Sequence, residues 1–138
     1  QLGLEVRVEQ ASQDEYLRRL DAGSFDAAIV ELTLSADPDV YAYWHQGQYP
    51  EGLNYGNVND RRISEVLEKA RADANGINRS MLYHQFQQLF AERAIALPLY
   101  YPLYTYAVTQ NIENIQLGFI GSPEDRFRTL AMWQFREG

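Results

Sequence analysis

The stretch Leu4-Glu5-Val6-Arg7-Val8-Glu9, then Ser12-Gln13-Asp14-Glu15, then Asp26-Ala27-Ala28-Ile29-Val30-Glu31-Leu32 decides the fold class. Leu4, Val6 and Val8 alternate with Glu5, Arg7 and Glu9, the period of a half-buried strand. Ser12 with Glu15 three residues later is a capping box; Tyr16, Leu17 and Leu20 supply one apolar face, and Gly23 marks the helix stop. Residues 26–32 read as a second, more buried strand. Strand, about ten helical residues and strand make a βαβ unit, which predicts two parallel strands joined by a right-handed crossover. The expected fold class is therefore α/β.

Downstream the regular pattern dissolves. From Thr33 to Val58 the chain is punctuated by Pro38, Gly47, Pro50, Gly52 and Gly56 and is dense in aromatics: Tyr41, Tyr43, Trp44, Tyr49 and Tyr55. An irregular segment of this length inside a domain is often functional. Asn59 or Asp60 can cap the next helix, where Ile63, Val66, Leu67 and Ala70 fall at i, i+3, i+4 and i+7. Asn75-Gly76 ends it. Asn78 can cap a further helix over 78–93 with Leu82, Phe86, Leu89 and Phe90 on one face. Leu97 to Tyr101 and Tyr104 to Val108 are rich in β-formers and read as extended chain. The charge-free run from Ala94 to Ile112 holds Pro98 and Pro102, which argues against a membrane-spanning helix. A turn near Gly121-Ser122-Pro123 precedes Phe127, Leu130, Met132, Trp133 and Phe135.

Composition bounds the function. The 138 residues are 46% hydrophobic and 22% charged, with 12 Lys+Arg against 19 Asp+Glu, a net charge of −7. One domain is expected, or one fragment of a larger protein. An acidic chain lacks the basic footprint that nucleic acid requires. No cysteine is present, which removes disulfides, thiolate metal sites and cysteine nucleophiles. His45 and His84 make no metal-ligand spacing. No cofactor or metal is expected. The chain opens Gln1-Leu2-Gly3-Leu4 without a targeting segment, as a cut fragment would.

Few residue groups could carry chemistry. Asp37 and Asp39 are a possible carboxylate pair for acid–base work, but Asp-Pro-Asp is also a common turn sequence. Glu31 closes an apolar strand, where an unpaired carboxylate is costly to bury. It points outward, pairs with an arginine, or places charge at the carboxyl end of a strand, where ligands settle in open α/β sheets. Tyr41, Tyr43 and Trp44 are either a stacking surface for a ligand or core aromatics under a long loop. His84 reads as a surface histidine.

The order of several short motifs resembles a known class. Phe25-Asp26-Ala27-Ala28 after a helix and Gly23 resembles the "y-D-a" strand of extracellular solute-binding proteins of the peptide/nickel class, which serve ABC importers. Asp37-Pro38-Asp39 resembles the D-P turn of that class, and Asn54-Tyr55-Gly56-Asn57 followed by Asp60 its N-Y-x-N…D stretch. Ala70-Arg71 and Asn78-Arg79 with Tyr83, Phe86-Gln87 and Leu89 resemble its helix pair, and Leu97-Pro98-Leu99-Tyr100 its "iPLy" segment.

The resemblance implies part of a two-lobed, non-enzymatic binding protein. It would comprise a partial periplasmic-binding-protein-like lobe: a βαβ unit, a long loop, two helices and extended C-terminal segments. Residues 1–97 would form much of the second lobe, and 98–138 would return toward the hinge and first lobe. The solute, an oligopeptide, oligosaccharide or related molecule, would be captured by lobe closure and delivered to an ABC permease. The protein would be extracytoplasmic, in the periplasm or at the cell surface, with lipid anchoring through a missing N-terminus as one means of attachment. In peptide-binding members a carboxylate receives the ligand's ammonium; the matching position here is Leu34. Glu31 stands where an aromatic is usual and is expected to become the cation-facing group. Thr33, Ser35 and Tyr100 or Tyr101 would line the pocket, with Trp44 and Asn57 as further candidates. Two rivals remain: a hydrolase using Asp37 and Asp39, and a self-contained interaction domain. Separated from a companion lobe, the fragment is expected to self-associate through exposed apolar surface.

Overall fold

In the computed structural model the helix expected after Ser12 forms as α1 (Gln13–Asp21), and its two ends show why. The Ser12 hydroxyl accepts the Glu15 N–H at 3.4 Å. At the other end Gly23 adopts a left-handed φ of +63°. The Gly23 N–H reaches the Leu20 carbonyl (3.1 Å) and the Ser24 N–H the Arg19 carbonyl (2.9 Å), a Schellman closure that a side chain at residue 23 would strain. Leu20 is buried, whereas Leu17 is exposed. Tyr16 is half-buried and its hydroxyl donates to the Ile29 carbonyl at 3.0 Å.

The structure describes residue 3 and residues 5–35, 37–103, 105–118 and 120–136. Leu4 of the expected first strand and Tyr104 of the later extended segment lie outside the described residues. The expected parallel pair is a correction: neither 5–9 nor 26–32 is in a strand ladder among the described residues. A parallel pair needs cover on both faces. Here α1 is the helix between the two segments, and Val6, Val8 and Ile29 remain 77%, 82% and 78% exposed. Alternation gave these segments strand periodicity; it could not give them a neighbour.

The chain divides into two compact units, Gln1–Leu32 with Asp39–Ala96, and Thr33–Pro38 with Leu97–Gly138. The first unit is helical. Its core is the packing of α3 (Arg61–Ala72) on α4 (Gly76–Glu92). Ile63, Val66, Leu67 and Ala70 of α3 are buried against Tyr83, Phe86 and Leu89 of α4. Burial of each large side chain contributes roughly 1.5–3 kcal/mol. Asp60 caps α3 by accepting the Arg62 and Ile63 N–H groups, while its second oxygen pairs with Arg93 at the end of α4, 3.2 Å away. The helix after Asn75-Gly76 starts earlier than its expected cap at Asn78: Asn75 is the cap, accepting from Ile77 and Asn78.

The segment that reads as irregular holds two short helical pieces, α2 (Tyr41–Trp44) and a 3₁₀ turn at Gln46–Gln48, followed by a cis Tyr49–Pro50 peptide. Val40, Tyr41 and Trp44 pack on the α3–α4 core, with Trp44 edge-on to Phe90 at 4.9 Å between ring centroids. Packing against a preformed apolar face thus stabilises helical turns too short to persist alone.

In the second unit β1 (Ile112–Glu113) pairs antiparallel with β2 (Gln134–Phe135), in the register Ile112 to Phe135 and Glu113 to Gln134. Arg136 extends this pairing through its N–H to the Asn111 carbonyl (2.8 Å) and its Nε to Glu113 (2.6 Å). A 3₁₀ turn at Pro123–Phe127 follows the Gly121-Ser122 corner, where Asp125 accepts both backbone N–H groups. Trp133 is half-buried between Phe127 and Tyr106, and its indole N–H donates to Thr129. Residues 97–103 and 105–108 carry no assigned strand. Helices with one small sheet among the described residues fit a partial α/β fragment.

Candidate functional site

Ser35 and Asp37 form a local turn, and Asp39 meets the start of α2. The Ser35 hydroxyl bonds both the N–H and the carbonyl of Asp37, each at 3.2 Å, a side-chain turn that residues of this type favour. Asp39 then caps α2: its Oδ1 accepts the Tyr41 N–H at 3.0 Å, and its Oδ2 lies 2.7 Å from Arg71 Nε. Both oxygens of Asp39 are therefore engaged in holding the backbone and α3, the turn role rather than the acid–base one.

The candidates distribute over both units. Thr33, Leu34, Ser35, Tyr100 and Tyr101 belong to the second, and Glu31, Trp44 and Asn57 to the first. Glu31, Thr33 and Ser35 are exposed, and so is Leu34. Glu31 is thus directed to solvent rather than buried in a strand. Tyr100 and Tyr101 are 79% and 90% exposed, presenting two phenol rings and hydroxyls to solvent. Trp44 is half-buried in the aromatic edge of the core. Asn57 is exposed at a left-handed φ of +48°, a conformation asparagine tolerates, with its N–H on the Asn54 carbonyl at 3.0 Å.

A second constellation escaped the sequence reading. His45 is buried, its Nε2 lies 2.9 Å from Glu68 Oε1, and its ring stacks on Tyr41 at 4.0 Å. Arg71 sits over the Tyr41 ring at 4.4 Å, a cation–π contact. The hydrogen bond from His45 and the charge of Arg61 hold the Glu68 carboxyl below the ordinary glutamate range. Asn54 is 1% exposed and donates to the carbonyls of His45 and Val58 while accepting the Val58 N–H. No spacing rule links His45 to Glu68, 23 positions on; Asn54 was visible only as a motif letter. His84 is exposed on α4.

Most of the motif residues on which the resemblance rests are scaffold. Asp39, Asn54, Asp60, Arg71, Arg79, Tyr83, Phe86 and Leu89 cap helices, tie loops or fill the core. Among the described residues no group of three His, Cys, Asp or Glu side chains could hold a metal ion. No helix of the described residues is long and apolar enough to cross a membrane.

Comparison with known proteins places the chain beside bacterial peptide-binding proteins, the resemblance drawn from the ordered motifs. It is similar to the oligopeptide-binding protein AppA of Bacillus subtilis (strain 168), 27% identical over 134 residues, 96% of this chain and 24% of the relative. It is also similar to di/tripeptide-binding protein 2 of Pseudomonas aeruginosa (strain UCBPP-PA14), 27% identical over 119 residues, covering 84% of this chain and 22% of that protein. Probable di/tripeptide-binding protein 5 of the same organism is 25% identical over 122 residues, 86% of this chain and 23% of its own length. The chain therefore spans about a quarter of the length of these relatives. No family model matches the chain, and no solved structure is significantly similar to it.

Proposed function

We propose that this chain is part of a solute-capture protein that binds short peptides without transforming them. The observation that carries this reading is the alignment of three peptide-binding proteins over 84–96% of the chain. The engagement of Asp39 in capping and in its Arg71 pair supports binding over hydrolysis.

In this reading residues 1–97 contribute to the second lobe of a longer, extracytoplasmic protein, and residues 98–138 return toward its hinge. Lobe closure over the peptide would be a hinge motion, and the loaded protein would deliver its solute to an ABC permease. The exposed carboxylate of Glu31 supplies the charge to receive a peptide ammonium, since Leu34 has none to offer. Thr33, Ser35, Tyr100 and Tyr101 supply hydroxyls for the peptide backbone and ring faces for its side chains. Peptide is favoured over oligosaccharide because all three relatives are named for peptides.

The test is a calorimetric titration of di-, tri- and longer peptides into the protein at its full encoded length, with and without Glu31→Gln. A hydrogen bond to a charged group is worth roughly 1.5–3 kcal/mol, so the substitution should weaken binding about 10- to 100-fold. Unchanged affinity removes Glu31 from the site.

A further inference from the structure

We propose that His45 is a pH-operated latch on the loop that follows it, residues 46–58. The residue joins α2 to the 3₁₀ turn at Gln46–Gln48 and is 7% exposed. Its Nδ1 accepts the Gly47 N–H at 3.0 Å, and its Nε2 faces Glu68 Oε1 at 2.9 Å. One protonation state satisfies both contacts: the neutral ring with its proton on Nε2, donating to the carboxylate. The imidazolium has no lone pair left at Nδ1, so it would face Gly47 donor to donor.

The turn has little room to adjust. A Cβ added at Gly47 would lie 3.1 Å from Nδ1, so the backbone already rests against the ring. The same residue anchors the rest of the loop. The His45 carbonyl accepts from Gln48 N–H (2.9 Å) and from Asn54 Nδ2 (3.2 Å), and Asn54 in turn holds Val58. The Gln46 N–H reaches Ser64 on α3 at 3.1 Å.

The charges around the ring come from two helices and from Asp39, two residues before one of them. From α3, Glu68 faces Nε2; Arg61 stands 3.9 Å from the same oxygen and is paired with Glu65 at 2.8 Å, and the Lys69 charge also acts on Glu68. From α2, Tyr41 stacks on the ring and carries Arg71, which is paired with Asp39 just before that helix. Glu68 is the direct countercharge for an imidazolium, so the Nε2 contact survives protonation as an ion pair while the Gly47 contact does not. Acid therefore frees the loop at its Gly47 edge and leaves the α3–α4 core in place, whatever solute the protein takes.

The experiment is imidazole nitrogen NMR with amide hydrogen exchange on the full chain, from about pH 8 to about pH 5, the interval in which histidines titrate. At the alkaline end Nδ1 of His45 should be unprotonated and the Gly47 amide protected. As the ring protonates, Gly47 protection should fall ~10-fold, the size of one hydrogen bond, with the same midpoint. The Phe86 and Leu89 amides should keep theirs, and titration of His84 should leave Gly47 unmoved. Glu68→Gln retains an acceptor for Nε2 but removes the countercharge, so both midpoints should shift together to lower pH. A ring that stays neutral to the acid end, an Nδ1 protonated at the alkaline end, Gly47 protection indifferent to ring titration, or an unshifted midpoint in Glu68→Gln overturns the latch.

Discussion

Arg79 Nε donates to the carbonyl of Ala70 across 2.9 Å, tying the first turn of α4 to the last turn of α3. The carbonyls of a last helical turn lack partners within their own helix, and a cation there also meets the negative end of the helix dipole. Arg79 further reaches the Tyr83 hydroxyl at 3.3 Å. Arg79→Met, which keeps the apolar stem, should lower stability by roughly 1.5–3 kcal/mol, the range for hydrogen bonds from charged donors. Urea denaturation checks it; a change below a few tenths of that would remove Arg79 from the scaffold.

The core makes a sharper contrast. Leu67 is 1% exposed and central to the α3–α4 packing, whereas Leu17 on α1 is 42% exposed. Leu67→Ala should cost about 2–5 kcal/mol through lost burial and a residual cavity. Leu17→Ala should stay within about 0.5 kcal/mol, as surface substitutions do. Denaturant midpoints of the two variants measured side by side would show it.

Gly23 closes α1 at a φ of +63° with nothing nearer than 3.9 Å to an added Cβ. Steric room is therefore not the constraint, and the penalty for Gly23→Ala isolates backbone strain, about 1–2 kcal/mol. The loss should appear as faster amide exchange at Ser24, whose N–H closes the cap on Arg19. Gly76, the first residue of α4, has nothing within 4 Å and no left-handed φ, so Gly76→Ala should not destabilise.

Acid sensitivity follows from four carboxyls held below their ordinary values: Glu15, Glu68, Asp125 and Glu124, the last through its own backbone N–H and the Ser122 hydroxyl. Glu15 is lowered by its hydrogen bond from Arg19 and then by the Arg18 charge. Glu68 is lowered by the hydrogen bond from His45, and Asp125 by that from Arg128 and by the Gly121 and Ser122 N–H groups. Each binds a proton less readily folded than unfolded. Their contribution is therefore complete above the ordinary values of 4.5 for Glu and 3.8 for Asp, and is lost as pH falls through the depressed folded ones. The urea midpoint should drop below pH 4.5, and Glu15→Gln should flatten that drop. An equally steep drop in Glu15→Gln would contradict the assignment.

What the sequence disclosed was local. Ser12, Gly23 and Asp60 announce helix ends because caps act within a few residues of themselves. Ile63, Val66, Leu67 and Ala70 announce a buried face because a helix repeats its face every turn. The flanking segments show the converse: the periodicity of Val6 and Val8 describes a surface that fits a sheet, whereas pairing depends on a neighbour elsewhere, and none pairs with them among the described residues. His45 with Glu68, and Arg71 with Tyr41, are contacts between distant positions that no spacing encodes. The motif order agrees with the likeness to peptide-binding proteins, and its residues cap helices, tie loops or fill the core rather than mark a binding surface.

Native mass spectrometry of the full-length protein as purified, followed by release and identification of whatever co-purifies, tests peptide capture without transformation. Short peptides are expected, displaced by added di- or tripeptide and absent from preparations unfolded and refolded without them. A bound sugar or metal chelate, or turnover of an added peptide, would contradict this function.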